Sequence, residues 1–482
     1  MKYFYKIISL LVFLSFISCH GDLDIQQKGG ISTNEAWQSS EDAESAVYGM
    51  MYLFRNTFSD DYMYWGEYRT GLWGKGRESQ PARDDVYNNT ISATHGRTDW
   101  TNLYSTINLA NLILKYTPEI TFVNDSDKNR IIGDAYFVRA FCYYWIARLW
   151  GDAPLCLNGF ESDSQEGLYP FREQVDKIYS LIESDLTNAE ILLDGIFSPA
   201  NLPNINAVHA LQTDYYLWMY KVVKDDTALA KARKACDAVL GKASLLPNFA
   251  DVFNVENKLN PEIIFAWSMV KEEKEGGFQA DWLVPLQYVT SKYVENPVKV
   301  GSHQQWAFIT DDYKSILGSV ASDTRTKATY DTFFDAEKGI THQWMNKYAG
   351  TWENSARIFN SDIIVYRYAD ILLFDAEIKC AENDPDGAVS SVNIVAQRAY
   401  GVQDYYEKGQ SVDDVLDIIL NERLKEFCAE GKLWWDYIRL GVVFEKVPAL
   451  KGKENNKNIL LWPISQTAIN KNNNLVQTEI EY

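Results

Sequence analysis

Apolar residues recur at helical spacing along much of the chain. Ser39 and Asp42 stand three positions apart, as in the capping box that satisfies the first backbone N–H groups of a helix. After them, apolar side chains follow at intervals of three and four, which places them on one helix face: Ala43, Ala46, Val47, Met50 and Phe54. An amphipathic helix is therefore predicted to begin near residue 40.

The same spacing predicts a series of further helices. One has a single apolar face formed by Leu103, Ile107, Ala110 and Leu114. Another is apolar around most of its circumference from Ile131 to Leu149, so it is expected to be central, and Gly151 and Pro154 end it. The remaining amphipathic segments are 175–193, 207–222, 228–240, 364–381, 388–399 and 415–427.

Short connections join several of these helices. The stretches DGIFSPANLPN and ENDPDG each separate two predicted helices, and short connections favour antiparallel neighbours. The pattern indicates helical hairpins of the tetratricopeptide kind, although no strict repeat of about 34 residues is visible. The predicted fold class is mostly α, with such hairpins forming an α-α superhelix that packs with a more irregular, loop-rich portion.

Two regions lack a clear helical period. Residues 56–99 and 272–361 are rich in Gly, Asn, Asp, Trp and Tyr. Long irregular segments in a helical scaffold are uncommon and tend to be functional. Because no Pro/Gly/Ser-rich linker divides the chain, residues 19–482 are predicted to form a single unit that contains both regions.

The first residues have the composition of a signal peptide. Residues 1–6 contain two lysines and no acid, and residues 7–17 are mostly apolar but too few to span a bilayer as a helix. Residues 1–18 are therefore predicted to be removed. Cys19 follows, and it resembles the modified cysteine of a bacterial lipoprotein, whose acyl chains would hold the protein on a membrane. Ordinary secretion with cleavage near Cys19 is the alternative.

Composition and charge narrow the class of ligand. The chain has 46 Lys and Arg against 66 Asp and Glu, a formal charge of −20, which repels nucleic acid phosphates and anionic lipid surfaces. A neutral or cationic ligand is therefore expected, and no nucleic acid. The cysteines after Cys19 show no CxxC spacing and the histidines are dispersed, so no disulfide framework, metal site or cofactor is predicted.

Several blocks of the sequence resemble the SusD/RagB family of outer-membrane nutrient-binding lipoproteins. The most specific are RYADILLFDAE (367–377) and NERLKEFCAEGKLWWDYIRLG (421–441). The other blocks, in chain order, are WTNLYSTINLAN, YFVRAFCYYWIARLWGDAPL, NPEIIFAW, SDTRTK, VNIVAQRAYG and the closing LWPISQTAINKNNNLVQTEIEY. The chain departs from the family pattern at Lys425, where arginine is common, and in an ending without Asn-Pro-Gly.

The resemblance implies a SusD-like fold and a role in nutrient uptake. Such a protein is a lipoprotein of the outer membrane and cell surface that captures oligosaccharide or polysaccharide for a SusC-like TonB-dependent transporter. The acidic DLD after Cys19 is similar to signals that send these lipoproteins to the cell surface. No catalytic activity is implied. A peptide or another nutrient, taken up by the same kind of transporter system, remains the alternative ligand.

Charged and aromatic groups in the two most specific blocks are predicted to be structural. Adjacent helices must pair the polar groups that they bury, and a buried charge needs a partner. The residues assigned to the scaffold on this ground are Arg367, Asp370, Glu377, Glu422, Arg423 and Trp435.

The candidate ligand contacts are aromatic residues of the irregular regions. Aromatic rings cover the C–H faces of a sugar, and amides, carboxylates and arginine bind its hydroxyls. Trp73, among the glycines of GLWGKGRESQ, lies outside any apolar helical stripe, and in the family this insertion often contributes a stacking ring. The second region offers Trp282, Tyr288, Tyr293 and Trp306, with Asn296, Gln304 and Gln305 as hydroxyl partners. Tryptophans on helical faces are assigned to the core: Trp145, Trp150 and Trp218.

Two other classes of function stay open. A glycosidase needs two carboxylates at a suitable separation, which the loop acids could supply: Asp60, Asp61, Asp84, Asp85, Asp311 and Asp312. The sequence has no GxSxG and no HExxH motif. Paired helices also form grooves that hold extended peptides. The Trp and Tyr content of both irregular regions favours a glycan-binding protein over either alternative.

Overall fold

Helices dominate the structure, a computed structural model that describes residues 36–480 apart from residues 79, 286–287, 289–304 and 355. Helix accounts for 54% of it and the strands are short, which confirms the mostly α fold class. In chain order the helices are α1 (Ser40–Gly66), α2 (Pro81–Tyr87), α3 (Thr101–Tyr116), α4 (Asp125–Trp150), α5 (Val175–Leu193), α6 (Ile205–Trp218), α7 (Ala228–Val239), α8 (Asp311–Leu317), α9 (Thr324–Thr329), α10 (Tyr368–Ala381), α11 (Pro385–Tyr400), α12 (Val412–Glu426), α13 (Leu433–Arg439), α14 (Val443–Lys446) and α15 (Gln466–Lys471).

The strands are three to six residues long. They are β1 (Trp73–Lys75), β2 (Ile263–Trp267), β3 (Ala307–Ile309), β4 (Tyr330–Asp335), β5 (Ile340–Met345), β6 (Thr351–Glu353), β7 (Ala356–Ile358) and β8 (Ile363–Arg367). Single helical turns include Tyr68–Thr70 and Phe278–Trp282, and a π-helical turn, Met219–Val223, extends α6. Across the described ranges, no helix has both the length and the apolar character that crossing a membrane requires.

Helix α1 begins where the sequence predicts and ends later than expected. The Ser39 hydroxyl accepts a hydrogen bond from the Asp42 backbone N–H (3.2 Å), and the Asp42 carboxylate accepts one from the Ser39 N–H (2.8 Å), so the capping box is confirmed. The helix continues to Gly66, so residues 56–66 are helical and not part of an irregular region. Nearly all of them are buried, and a helix buried all round shows no apolar period in its sequence.

Helix α4 runs through the centre of the protein, as its sequence predicts. Every residue from Phe137 to Trp150 is buried, and Gly151 ends the helix with a φ of +68° that favours glycine. The three tryptophans that the sequence assigns to the core are buried, which confirms the assignment: Trp145 and Trp150 of α4 and Trp218 of α6 are 3%, 0% and 4% exposed.

Neighbouring helices pack in pairs along the chain. The pairs are α3 with α4, α4 with α5, α6 with α7 and α10 with α11. The stretch DGIFSPANLPN connects α5 to α6, and ENDPDG connects α10 to α11, which confirms both predicted connections. One cluster of buried apolar side chains extends from Ala43 to Leu475.

The strands form four antiparallel pairs within the described residues. Strand β2 pairs with β8 and both are buried throughout. Residues 364–367, predicted as the start of a helix, belong to β8, because the continuous apolar run before α10 has no period that separates strand from helix. The hairpins β4–β5 and β6–β7 occupy the second irregular region.

A network of buried charges fixes β8 and the surrounding helices. We call Arg325, Arg367, Glu262, Glu426 and Glu430 the buried charge network, and all five side chains are 0% exposed. The Arg367 guanidinium donates to Glu430 through Nε and to Glu262 through Nη1, each at 2.9 Å. Arg325 lies 3.1 Å from Glu426. The network therefore pairs the charges that it buries.

The residues that the sequence assigns to the scaffold are buried and paired. Asp370 accepts from Lys432 (2.7 Å), Glu377 accepts from Arg439 (2.7 Å), and Arg423 lies 2.8 Å from Asp436. The full set is 5% exposed or less: Arg367, Asp370, Glu377, Glu422, Arg423 and Trp435. The structural assignment is confirmed.

Candidate functional site

The two irregular regions, far apart in sequence, meet at a pair of short strands. Strand β1 pairs with β3 in antiparallel register, with Trp73 opposite Ile309 and Lys75 opposite Ala307. The pairing extends beyond the strands, because the Gly76 N–H donates to the Trp306 carbonyl (3.3 Å) and the Glu78 N–H to the Gln305 carbonyl (3.0 Å). The loop after β1 is therefore held against residues 305–306.

Trp306 is half-buried beside this loop. The guanidinium carbon of Arg83, on α2, lies 4.4 Å from the centre of a Trp306 ring. Arg83 is held by Asp281 through an ion pair of 2.7 Å, and the Tyr87 hydroxyl donates to the Trp306 carbonyl (3.4 Å). One arginine thus fixes the ring while its charge is neutralised by a neighbouring carboxylate.

Tyr288 is a second half-buried ring with the same kind of support. The Arg77 guanidinium carbon lies 4.8 Å from its ring centre, and the Tyr288 hydroxyl donates to the Glu78 carboxylate. Arg77 also lies 3.0 Å from the Nδ1 atom of His342, on β5. Burial and the nearby Arg77 charge lower the pKa of His342, so the imidazole is neutral near pH 7.

Phe333 adds a third half-buried ring on β4. It stacks on the imidazole of His342 with ring centres 5.9 Å apart and an angle of 15°. Phe333 and Tyr288 both pack against a small apolar cluster that includes Trp344. We call Tyr288, Trp306 and Phe333, together with Arg77, Glu78 and Arg83, the aromatic face.

One polar atom of the aromatic face is suited to a hydroxylated ligand. Arg77 Nε is shielded from solvent and has no hydrogen-bond partner in the part of the chain that the structure describes. Once the side chains above it move, this donor can pair with the oxygen of a hydroxyl group. Rings beside such groups are what binding of a sugar requires.

Trp73 and Trp282 do not take the role that the sequence predicts for them. Their side chains are 2% and 0% exposed, and their rings pack against each other with centres 5.5 Å apart. The Trp73 indole donates to Glu67 (2.9 Å) and the Trp282 indole donates to the Tyr68 hydroxyl (2.9 Å). Both rings belong to the core, so neither offers a face to a ligand in this structure.

Of the amide residues predicted as hydroxyl partners, the structure describes only Gln305. Gln305 is 5% exposed, and its amide donates to the carbonyls of Trp282 (2.9 Å) and Gln343 (2.6 Å). It is therefore a structural residue. Tyr293, Asn296, Gln304 and Cys19 lie outside the described residues.

Several of the carboxylates considered for catalysis form ion pairs with basic residues, and Asp61 and Asp311 both lie on helices. Asp61 lies 2.6 Å from Arg97, and burial raises the pKa of Asp61 to about 6 against the effect of that arginine. Asp311 pairs with Lys314 at 2.8 Å on the first turn of α8. Among the described residues, His, Cys, Asp and Glu form no group that could hold a metal ion.

Four residues of the aromatic face were not singled out from the sequence. Arg77 and Glu78 lie in GLWGKGRESQ, the stretch that the sequence analysis selected for Trp73, so the sequence pointed to the right segment but to the wrong residue in it. Arg83 carries no local signal, because its place depends on the ion pair with Asp281, about 200 residues away. Phe333 was not singled out because its place depends on the pairing of β4 with β5.

Two family models match the chain. The model described as the SusD family matches residues 254–482, and the model described as starch-binding associating with outer membrane matches residues 41–217. Together they cover most of the described residues, including all of both irregular regions.

Relatives and solved structures agree with the family models. The chain is 25% identical to SusD-like protein P38 of Formosa agariphila over 96% of this chain and 97% of that protein. Its fold is similar to that of NanU of B. fragilis, with a TM-score of 0.82, 25% identity and coverage of 94% and 99% of the two chains. A SusD superfamily protein from Bacteroides vulgatus gives a TM-score of 0.78 at 26% identity, with coverage of 92% and 99%.

Proposed function

The chain belongs to the SusD/RagB family, and from that membership we propose that it is a lipoprotein that binds oligosaccharide at the cell surface and delivers it to a SusC-like TonB-dependent transporter. SusD-like proteins bind nutrients and are not enzymes, so the proposal is binding without catalysis. The ligand is proposed to lie on the aromatic face.

The observation that carries this proposal is the pairing of half-buried rings with arginines. Tyr288 and Trp306 each have a guanidinium over the ring, at 4.8 Å and 4.4 Å from its centre. A ring held in this way loses little conformational freedom when a ligand binds, so more of the contact energy appears as affinity. Part of each ring stays exposed and can cover the C–H face of a sugar.

Charge pairing at the aromatic face favours a neutral ligand. Arg83 is neutralised by Asp281 at 2.7 Å, and Glu78 lies beside Arg77 in the same loop. An anionic ligand would have to displace Asp281 from Arg83, whereas a neutral sugar needs only hydroxyl contacts. Because one family model is described as starch-binding, linear α-1,4-linked glucose oligomers are the first ligands to test. Tyr293 remains a proposed contact.

Isothermal titration with maltoheptaose, after a glycan array has identified any better ligand, tests the site. Trp306→Ala and Tyr288→Ala should each weaken binding about tenfold, because each removes a ring contact of about 1.4 kcal/mol. An array that also carries peptides distinguishes the alternative ligand. If the protein binds peptides and no glycan, the ligand in this proposal is a peptide.

Two neighbouring phenylalanines provide a matched control. Phe333 and Phe334 follow one another on β4, so their side chains lie on opposite faces of the strand, and Phe334 is 61% exposed. Phe333→Ala should weaken binding, and Phe334→Ala should leave it unchanged. Equal affinities for Trp306→Ala, Tyr288→Ala and the parent protein would exclude the aromatic face as the site.

The lipid anchor needs a separate test. Full-length protein expressed with labelled palmitate should incorporate the label and fractionate with the outer membrane. Cys19→Ala should lose both properties and leave sugar affinity unchanged. Release of the parent protein into the medium without label would support ordinary secretion instead. Co-purification with a transporter barrel from the same cells tests delivery.

A further inference from the structure

A second cleft with ligand-binding chemistry lies on the helical body. It has a volume of about 540 Å³ and is formed by the first half of α1, the turn before α6 and the end of β2. That volume falls within the range of about 300–1,000 Å³ that small-molecule sites occupy. None of the residues that line it belongs to the aromatic face. We call it the α1 cleft.

Two exposed tyrosines form one wall of the α1 cleft. Tyr48 and Tyr52 are 59% and 47% exposed. They stand four positions apart on α1, so they lie on the same side and roughly 6 Å apart along the helix axis. The opposite side of α1 carries Val47, Met50 and Phe54 into the core, so packing within the chain does not account for the two tyrosines.

The opposite wall is the turn that connects α5 to α6. Pro199 and Leu202 line the cleft from this turn, and Phe197, two residues before Pro199, is 89% exposed. The two tyrosine rings on one side and the apolar side chains of Pro199 and Leu202 on the other give a ligand apolar surface to cover on two faces. A flat molecule with two C–H faces fits that arrangement.

Polar groups of the α1 cleft lack partners that a ligand can supply. Asn201 Oδ1 and Trp267 Nε1 have no hydrogen-bond partner among the residues that the structure describes, and both residues line the cleft. A hydroxyl group can pair with each, since it donates to an amide oxygen and accepts from an indole N–H. Both atoms are shielded from solvent, so contact with a ligand requires movement of the side chains above them.

The charge of the α1 cleft is neutralised within the chain. Arg55, one turn after Tyr52, donates to Glu273 (2.9 Å) and to the Ser268 carbonyl (2.9 Å). The ion pair leaves no net charge at the mouth, so neither an anionic nor a cationic ligand gains by entering. Its oxygen and nitrogen atoms can still bind hydroxyls at the rim.

From these contacts we propose that the α1 cleft is a second carbohydrate-binding site, which takes one or two rings of a neutral saccharide between Tyr48, Tyr52 and the α5–α6 turn. The proposal rests on the proposed function for the class of ligand, but it involves none of the residues of the aromatic face. A protein with both sites would hold one chain at two points or two chains at once, which raises avidity for polysaccharide.

Titration with linear hexasaccharides of α-1,4, β-1,3 and β-1,4 linkage tests the second site. The parent protein should bind two molecules, and Tyr48→Ala/Tyr52→Ala should bind one. Trp306→Ala should still bind two molecules, with an affinity about tenfold weaker at the aromatic face and unchanged at the α1 cleft. Tyr52→Phe keeps the ring and should bind as the parent does, whereas Tyr52→Ala should weaken the second site about tenfold. Both tyrosines are exposed, so the melting temperature should change little.

The outcomes separate the two proposals. If the parent protein binds one molecule, Trp306→Ala weakens that binding and Tyr48→Ala/Tyr52→Ala changes nothing, the α1 cleft is not a sugar site and the proposed function stands. If Tyr48→Ala/Tyr52→Ala abolishes all binding while Trp306→Ala changes nothing, the α1 cleft is the sugar site and the aromatic face is not. Loss of transporter co-purification in Tyr48→Ala/Tyr52→Ala, with two sugars still bound, would make the cleft a protein contact and overturn the inference.

Discussion

The buried charge network and the aromatic face both place an arginine over an aromatic ring, at nearly the same distance. Arg367 lies 4.7 Å from the centre of the Phe427 ring, and Arg77 lies 4.8 Å from that of Tyr288. Arg367 uses all its N–H groups within the protein, on Glu262, Glu426 and Glu430. Arg77 Nε, by contrast, has no hydrogen-bond partner in the described chain.

This difference separates a group that holds the fold from one that can bind a ligand. A buried arginine whose donors are all paired has no capacity left for a partner. An arginine that supports a half-buried ring and keeps a donor unpaired can serve a ligand without loss to the fold. Residue type alone does not distinguish the two, but the hydrogen bonds that Arg367 and Arg77 make within the protein differ.

The largest effect is expected from breaking the buried charge network. Arg367→Ala leaves the carboxylates of Glu262, Glu426 and Glu430 buried around the lost cation, so the free energy of unfolding should fall by about 4–5 kcal/mol. Urea denaturation measures this loss. Lys177→Ala is the control, because its pair with Glu173 is exposed (61% and 42%) and is worth about 0.5 kcal/mol. Equal losses in both variants would contradict the structural role of the network.

A similar loss of stability, without loss of binding, is expected for Trp73. Trp73→Ala removes a ring that is 2% exposed and takes one of three buried donors from Glu67, so unfolding should become easier by about 3–4 kcal/mol. Titration of the folded variant should give the sugar affinity of the parent protein. A tenfold weaker affinity with little loss of stability would restore Trp73 as a ligand contact.

Trp73 also shows what the sequence could and could not predict. Helices α1, α4 and α5 were predictable because their apolar period is local. The burial of Trp73 was not, because its ring packs against that of Trp282, a residue more than 200 positions away in the chain. Short strands such as β1 leave no periodic signal.

The candidate site was predictable only in part, for the same reason. Tyr288 and Trp306, which the sequence predicts as ligand contacts in the second irregular region, are half-buried, so part of each ring is exposed. Their supports, Arg77 and Arg83, come from the first region, and only the tertiary contact assigns them. Residues 364–367 were predicted as helix and form part of β8 for a different reason. A buried strand followed by a buried helix gives one continuous apolar run, in which the sequence does not mark the boundary.

Acid should weaken the buried charge network. Burial opposes ionisation of Glu430, but Arg367 and Lys347 outweigh it and lower its pKa from 4.5 to about 2. Its stabilising contribution, about 3 kcal/mol, is therefore complete above pH 4.5 and is lost as the pH falls towards 2. Urea denaturation at pH 7, 4.5 and 3 should give decreasing free energies of unfolding only below pH 4.5. No decrease between pH 4.5 and 3 would contradict the assignment.

The smallest effect is expected from removing one hydroxyl at the aromatic face. Tyr288→Phe keeps the ring over Arg77 and loses only the hydrogen bond to Glu78. Because the ring and not the hydroxyl is proposed to contact the sugar, affinity should fall less than about threefold, against about tenfold for Tyr288→Ala. Titration of both variants with the same oligosaccharide separates the two contributions. A tenfold loss in Tyr288→Phe would mean that the hydroxyl, held by Glu78, binds the ligand. The aromatic face would then act through hydrogen bonds, as the buried charge network does, and would differ from that network only in being exposed to solvent.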